Sequence, residues 1–227
     1  MAIILHIDTT TKLCSVAVAK DGVLLSLKEE YDEQYSHAEK LNVFIDAALQ
    51  EAKIAFGDLN AVAVSKGPGS YTGLRIGVST AKGLCFGLGL PLIGINTLKA
   101  LSYGALQHPN YSSGALLCPM LDARRMEVYS QIFDAGLNEV REIQAQIIDE
   151  NSFGDNTQNM HIFGDGAQKC LSVLTTKKNI SFLPEIQTSA RWMLPFAEEA
   201  FSTKTFEDVA YFEPFYLKDF VAGPKKV

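Results

Sequence analysis

The residues best suited to chemistry in this chain are a glycine-rich run, SKGPGSYTGLRIG at 65–77, and two aspartates, Asp8 and Asp122, that each close an apolar run. Gly67 and Gly69 shape a sharp turn into a helix, where exposed N–H groups attract an anion and Arg75 would anchor it. The spacing argues against both standard phosphate loops. A Walker A loop needs GxxxxGK followed by Ser or Thr, and no glycine–lysine pair falls at that place. The dinucleotide pattern GxGxxG fails as well, because Gly67, Gly69 and Gly73 read GxGxxxG.

Asp8 and Asp122 have two readings. A carboxylate at a strand end can hold Mg²⁺ through water or orient an attacking nucleophile. It can equally cap its own turn, as Asp does readily. Asp122-Ala123-Arg124-Arg125 has no glycine that would let the backbone wrap a phosphate. Its arginines suit a free anion and the acidic groups of a partner equally. Gly164-Asp165-Gly166-Ala167 keeps a trace of a nucleotide loop, so weak nucleotide binding stays open.

Metal and covalent chemistry find less. Ser36-His37-Ala38-Glu39 reads as a capping box, with Ser36 serving the third amide and Glu39 returning to the cap. No HxxxH or HExxH accompanies His37, so no metal site and no cofactor are expected. No GxSxG elbow occurs, and Cys14, Cys85, Cys118 and Cys170 form no CxxC pair. Buried, reduced thiols are the expectation, and no catalytic residue is assigned.

The elements that must position these groups follow from periodicity. Residues 2–8, 13–19 and 22–30 read as strands, with Lys20-Asp21-Gly22 as a hairpin turn. Leu41, Phe44, Ile45, Ala48 and Leu49 recur at helical spacing, which predicts a helix from about Ser36 to Ala52. A strand at 61–65, a helix at 72–89, a strand at 91–95 and a helix at 97–106 follow. After the polar stretch QHPNYSSG the order partly repeats, with strands at 115–122, 126–134, 139–148 and 161–164. Helices are expected near 165–175 and 189–202. This gives an α/β fold of two similar βββαβα lobes, 1–106 and 107–227, the second reduced.

On the helix after the glycine turn, Gly73, Gly77 and Ala81 fall four apart, with Thr80, Gly83 and Gly87 nearby. Glycine in a helix costs roughly 1 kcal/mol relative to alanine, so another backbone is expected to approach this stripe closely. Internal packing against the sheet and a partner helix both meet that requirement.

Composition sets outer bounds. The 227 residues include 20 Lys plus Arg and 26 Asp plus Glu, a net charge of −6. A surface acidic on balance repels a phosphate backbone, so any nucleic acid is expected to be held by something else. The chain's start has no basic leader and no stretch long enough to span a bilayer, which suggests a cytoplasmic protein. Glu213 and Asp219, interleaved with the aromatics of 210–220, argue for a tail packed over the first lobe.

Taken together, IDTTTKLCSVAV, SHAEKL, GPGSYTGLRIG, GINTLKAL, DARRMEVY and EPFYLKDF resemble the TsaB (YeaZ) family over nearly the whole chain. That family is the non-catalytic relative of the tRNA threonylcarbamoyladenosine transferase TsaD. The resemblance implies an actin-like, Hsp70-like (ribonuclease H-like) ATPase fold, with Asp8 and Asp122 on its two phosphate-facing hairpins. It implies a scaffold or activating subunit, not an enzyme, that pairs through its first-lobe helices with a TsaD-like catalytic subunit. A TsaE-like ATPase and tRNA would be met through that complex only, and a homodimer would form when the partner is absent. The expected partner contact is Leu41, Phe44, Ile45, Ala48, Gly73, Gly77, Thr80 and Ala81. An independent ATPase or small-molecule kinase of this fold is the alternative, and a metallopeptidase a further one.

Overall fold

A computed structural model describes residues 2–33 and 37–218. Its two sheets share one plan. β1 (Ile3–Asp8), β2 (Leu13–Lys20) and β3 (Val23–Tyr31) form an antiparallel meander, and β4 (Ala61–Gly67) and β5 (Leu92–Asn96) extend it in parallel from β1. The order is β3-β2-β1-β4-β5. In the second sheet β6 (Leu116–Asp122), β7 (Glu127–Phe133) and β8 (Glu139–Ile147) form the meander. β9 (Met160–Phe163) and β10 (Ile180–Phe182) run parallel to β6, giving β8-β7-β6-β9-β10. The order repeats strand for strand.

Alternation along β1 decides what each face meets. Leu5 and Ile7 point to one side, where α1 (His37–Ala52) and α2 (Tyr71–Leu88) cover them with Leu41, Ile45, Ala48, Val78 and Ala81. Ile4 points to the other, with Ala17 and Ala63 as small neighbours. Those alanines let a short 3-10 turn at Ala190–Met193 and α5 (Leu194–Thr203) pack close, with Ala190, Met193 and Ala197 buried there. α3 (Thr97–Leu106) bridges the lobes, its Leu98, Leu101 and Ala105 packing with Leu117, Leu121 and Phe163 of the second sheet.

The structure departs from the sequence reading in three places. Residues 189–203 belong to the core of the first lobe, so a division at residue 107 does not separate the two cores. The helix expected at 165–175 is a 3-10 turn followed by a single turn, α4 (Leu171–Leu174). The three-residue β10 was too short to show a period.

Candidate functional site

Asp8 ends β1 and is almost wholly buried. Its Oδ1 accepts the Thr10 N–H at 2.9 Å and the Thr10 hydroxyl at 2.6 Å, and its Oδ2 accepts the Ser65 hydroxyl at 2.7 Å. Burial raises its pKa, and these hydrogen bonds oppose the rise. Both oxygens are engaged by the chain itself, so the capping reading describes the geometry.

The glycine turn is used the same way. The Ser70 N–H donates to the Thr10 carbonyl at 2.7 Å, and the Thr9 hydroxyl donates to the Gly73 carbonyl at 2.7 Å. The N–H of Gly73 meets the Ser70 side chain, the N-cap of α2, and that of Gly67 meets the Thr97 hydroxyl. A Cβ at Gly69 would stand 2.6 Å from the Thr10 carbonyl, and one at Gly67, where φ is +114°, 2.6 Å from the Phe215 carbonyl. The glycines therefore admit the β1–β2 turn and the C-terminal segment. Arg75 lies 4.4 Å over the Tyr71 ring and donates from Nε to the Tyr216 hydroxyl at 3.3 Å. Its anchor is an aromatic pair from its own chain.

The C-terminal segment reaches this point by a run of main-chain bonds. Glu207 N–H donates to Leu92, Phe215 N–H donates to the Lys66 carbonyl, and Lys82 donates to the carbonyls of Ala210 and Phe212. Lys218 then pairs with Glu127 on the second lobe.

Asp122 stands apart from Asp8 in character. It is exposed, pairs with Lys169 and accepts the Arg124 N–H at 3.0 Å. Arg124 sits at φ +72° and Arg125 at +52°. In the stretch 164–167, a Cβ on Gly164 would stand 2.5 Å from the Met120 carbonyl and one on Gly166 2.7 Å from Leu121. Those glycines make room for strand β6. Desolvation, joined by nearby Asp122, pushes Asp165 up to about 6.

His37 is buried, and its Nε2–H donates to the Thr11 carbonyl at 2.7 Å. Ser36 lies outside the described residues, so the capping box there has no structural account. No group of three metal-ligating side chains occurs among the described residues. All four cysteines are buried, with burial pushing Cys14 and Cys118 up to about 12 and Cys85 to about 11. No described helix is long and apolar enough to cross a membrane.

Most of the residues expected to meet a partner face inward, which corrects that expectation. Leu41, Ile45, Ala48 and Ala81 are in the core between α1, α2 and the sheet. Gly73 and Gly77 are buried against Thr9, closer than 3.0 Å for any added Cβ, so the small stripe serves internal packing. Only Phe44 and Thr80 keep partial exposure. The outward faces of the same helices carry other residues: Val43 at 63% exposure, Phe86 at 86%, and Gly83 and Gly87 with nothing within 4 Å of a Cβ. Phe86 was legible as an apolar residue one step off the buried stripe of Gly77, Ala81 and Cys85.

Two similar lobes, each an antiparallel meander extended in parallel, define a protein of the actin-like ATPase fold. Solved structures agree. YeaZ from Pseudomonas aeruginosa superposes with a TM-score of 0.79 at 24% identity, covering 96% of this chain and all of that one. The ADPNP-bound activator of 2-hydroxyisocaproyl-CoA dehydratase from Clostridium difficile gives 0.51 at 10% identity, covering 91% and 98%. The family model for tRNA N6-adenosine threonylcarbamoyltransferase, TsaD, matches residues 32–211. The tRNA threonylcarbamoyladenosine biosynthesis protein TsaB of Haemophilus influenzae is 29% identical over 231 residues, covering 98% of this chain and 96% of that protein. Its namesake in Escherichia coli is 36% identical over 126 residues, covering 56% and 52%. The chain belongs to this family, in its TsaB (YeaZ) branch.

Proposed function

We propose that this chain acts in tRNA threonylcarbamoyladenosine biosynthesis as a non-catalytic activating subunit that binds a TsaD-like catalytic subunit. The observation that carries the reading is that the candidate anion-binding groups are satisfied within the chain. Asp8, the glycine turn and Arg75 all spend their polar groups on Thr9, Thr10, Ser65 and Tyr216. A fold that evolved around a nucleotide but satisfies those groups internally is suited to a structural role.

The docking surface on this reading is the outer face of α1 and α2 around Val43 and Phe86, with Phe44 and Thr80 at its margin. The open positions Gly83 and Gly87 allow a partner backbone to come close beside Phe86. The same face serves a second copy of the chain when the catalytic subunit is absent. A TsaE-like ATPase joins through the assembled complex. The test is reconstitution: the catalytic subunit with tRNA and threonylcarbamoyl-adenylate, with and without this chain. Modification should depend on the chain and persist when Asp8 is neutralised. Turnover of Mg-ATP by the purified chain alone would favour an independent ATPase.

A further inference from the structure

The turn between β6 and β7 holds two consecutive arginines in the left-handed backbone region. That region is strained for an L-residue, whose Cβ crowds the following carbonyl, and glycine or asparagine would take it at less cost. The turn is braced rather than loose. Asp122 accepts the Arg124 N–H, Asp165 accepts the Asp122 N–H at 3.1 Å, and Lys169 ties the Asp122 carboxylate to the Glu127 carbonyl. Such bracing fixes where both side chains leave the surface, which lowers the ordering cost of any contact they make.

Both arginines are exposed, and neither forms an ion pair among the described residues. Two of the carboxylates beside them are already paired, Asp122 with Lys169 and Glu127 with Lys218, and the third, Asp165, accepts the Asp122 N–H. The turn thus displays two guanidinium groups that no described carboxylate pairs, on a chain whose net charge is −6.

We propose that Arg124 and Arg125 contact the sugar-phosphate backbone of the tRNA when this chain sits in the modification complex. The inference rests on the tRNA-modification reading above. Guanidinium forks bind phosphate oxygens bidentately. Two forks on adjacent residues match an anion that repeats along a strand better than they match one isolated carboxylate. The acidic remainder of the chain limits the contact to this turn, so the catalytic subunit supplies most of the affinity.

The test uses Arg124→Asn together with Arg125→Gly, residues that favour positive φ at these two positions. The fold should survive, with a melting temperature equal to or above that of the parent chain. Binding of an unmodified tRNA transcript to the reconstituted complex is then measured against salt concentration. Loss of two phosphate contacts should lower the slope of log K against log salt by about 1.8, and weaken binding about 30-fold near 0.15 M salt. Affinity between this chain and the catalytic subunit should not change. An unchanged slope overturns the proposal. So does a weaker protein complex with unaltered RNA binding, which would assign the arginines to a partner's carboxylates. If the parent chain forms no complex with the catalytic subunit, the functional reading falls and this inference falls with it.

Discussion

Alanine at Gly73 and alanine at Gly83 should have opposite effects, although both sit in α2. At Gly83 nothing lies within 4 Å of the new Cβ, so only the helix preference acts. That preference favours alanine by about 1 kcal/mol, which should raise the melting temperature by about 2–4 °C in a chain of this size. At Gly73 the same Cβ meets the Thr9 carbonyl, a backbone atom fixed by the bonds of Asp8 and Thr10 on either side. Relief requires moving the β1–β2 turn, at a cost on the order of 3 kcal/mol or more. Gly77 is a third case, because its Cβ meets the Thr9 hydroxyl and not the main chain. Thr9→Ala should therefore partly rescue Gly77→Ala and leave Gly73→Ala unrescued. Urea titrations of the three single variants and both double variants measure these couplings. Gly73→Ala melting at or above the parent, or Thr9→Ala rescuing both sites equally, would refute the packing argument.

Asp8→Asn should stabilise the fold at neutral pH by about 1–2 kcal/mol, since it removes a buried charge, keeps both Thr10 bonds at Oδ1 and reverses the third, with Nδ2–H donating to the Ser65 hydroxyl. Activity of the complex should be unchanged, and its loss in a well-folded variant would restore Asp8 to a functional role. Burial pushes His6 from 6.5 down to about 4, so its contribution to stability is complete above about 6.5. That contribution is lost as the pH falls toward 4, because the unfolded state takes up the proton first, and it amounts to about 3 kcal/mol at the lower end. His6→Leu should flatten this acid limb of the stability profile, and an unaltered limb would assign it to other groups. The four thiols should react with a disulfide reagent at neutral pH only at the rate of unfolding, since all are buried. Rapid labelling of any one would contradict its placement.

The strands and long helices were legible because their apolar residues repeat at the period of the element that buries them. The duplication was legible too, since Asp8 and Asp122 end equivalent strands, β1 and β6. Orientation was not. A stripe of Gly73, Gly77 and Ala81 looks the same in sequence whether its close neighbour is Thr9 of the same chain or a helix of another. The choice rests on which way α2 is rolled, and a contact 64 residues away decides that. The return of residues 189–203 to the first lobe was hidden for the same reason, because Ala190, Met193 and Ala197 would suit either core. The strain at Arg124 and Arg125 had no sequence signal, as arginine rarely marks positive φ.

Calorimetric titration of the chain against its TsaD-like subunit, using the parent and Phe86→Asp, tests the central claim most directly. Phe86 is 86% exposed, so the substitution should leave the melting curve nearly unchanged. If the outer face of α1 and α2 is the docking surface, burying a charge there should cost 2 kcal/mol or more, about a 30-fold loss of affinity. Val43→Asp should act in the same direction. A stably folded Phe86→Asp that binds the catalytic subunit as tightly as the parent would contradict the account.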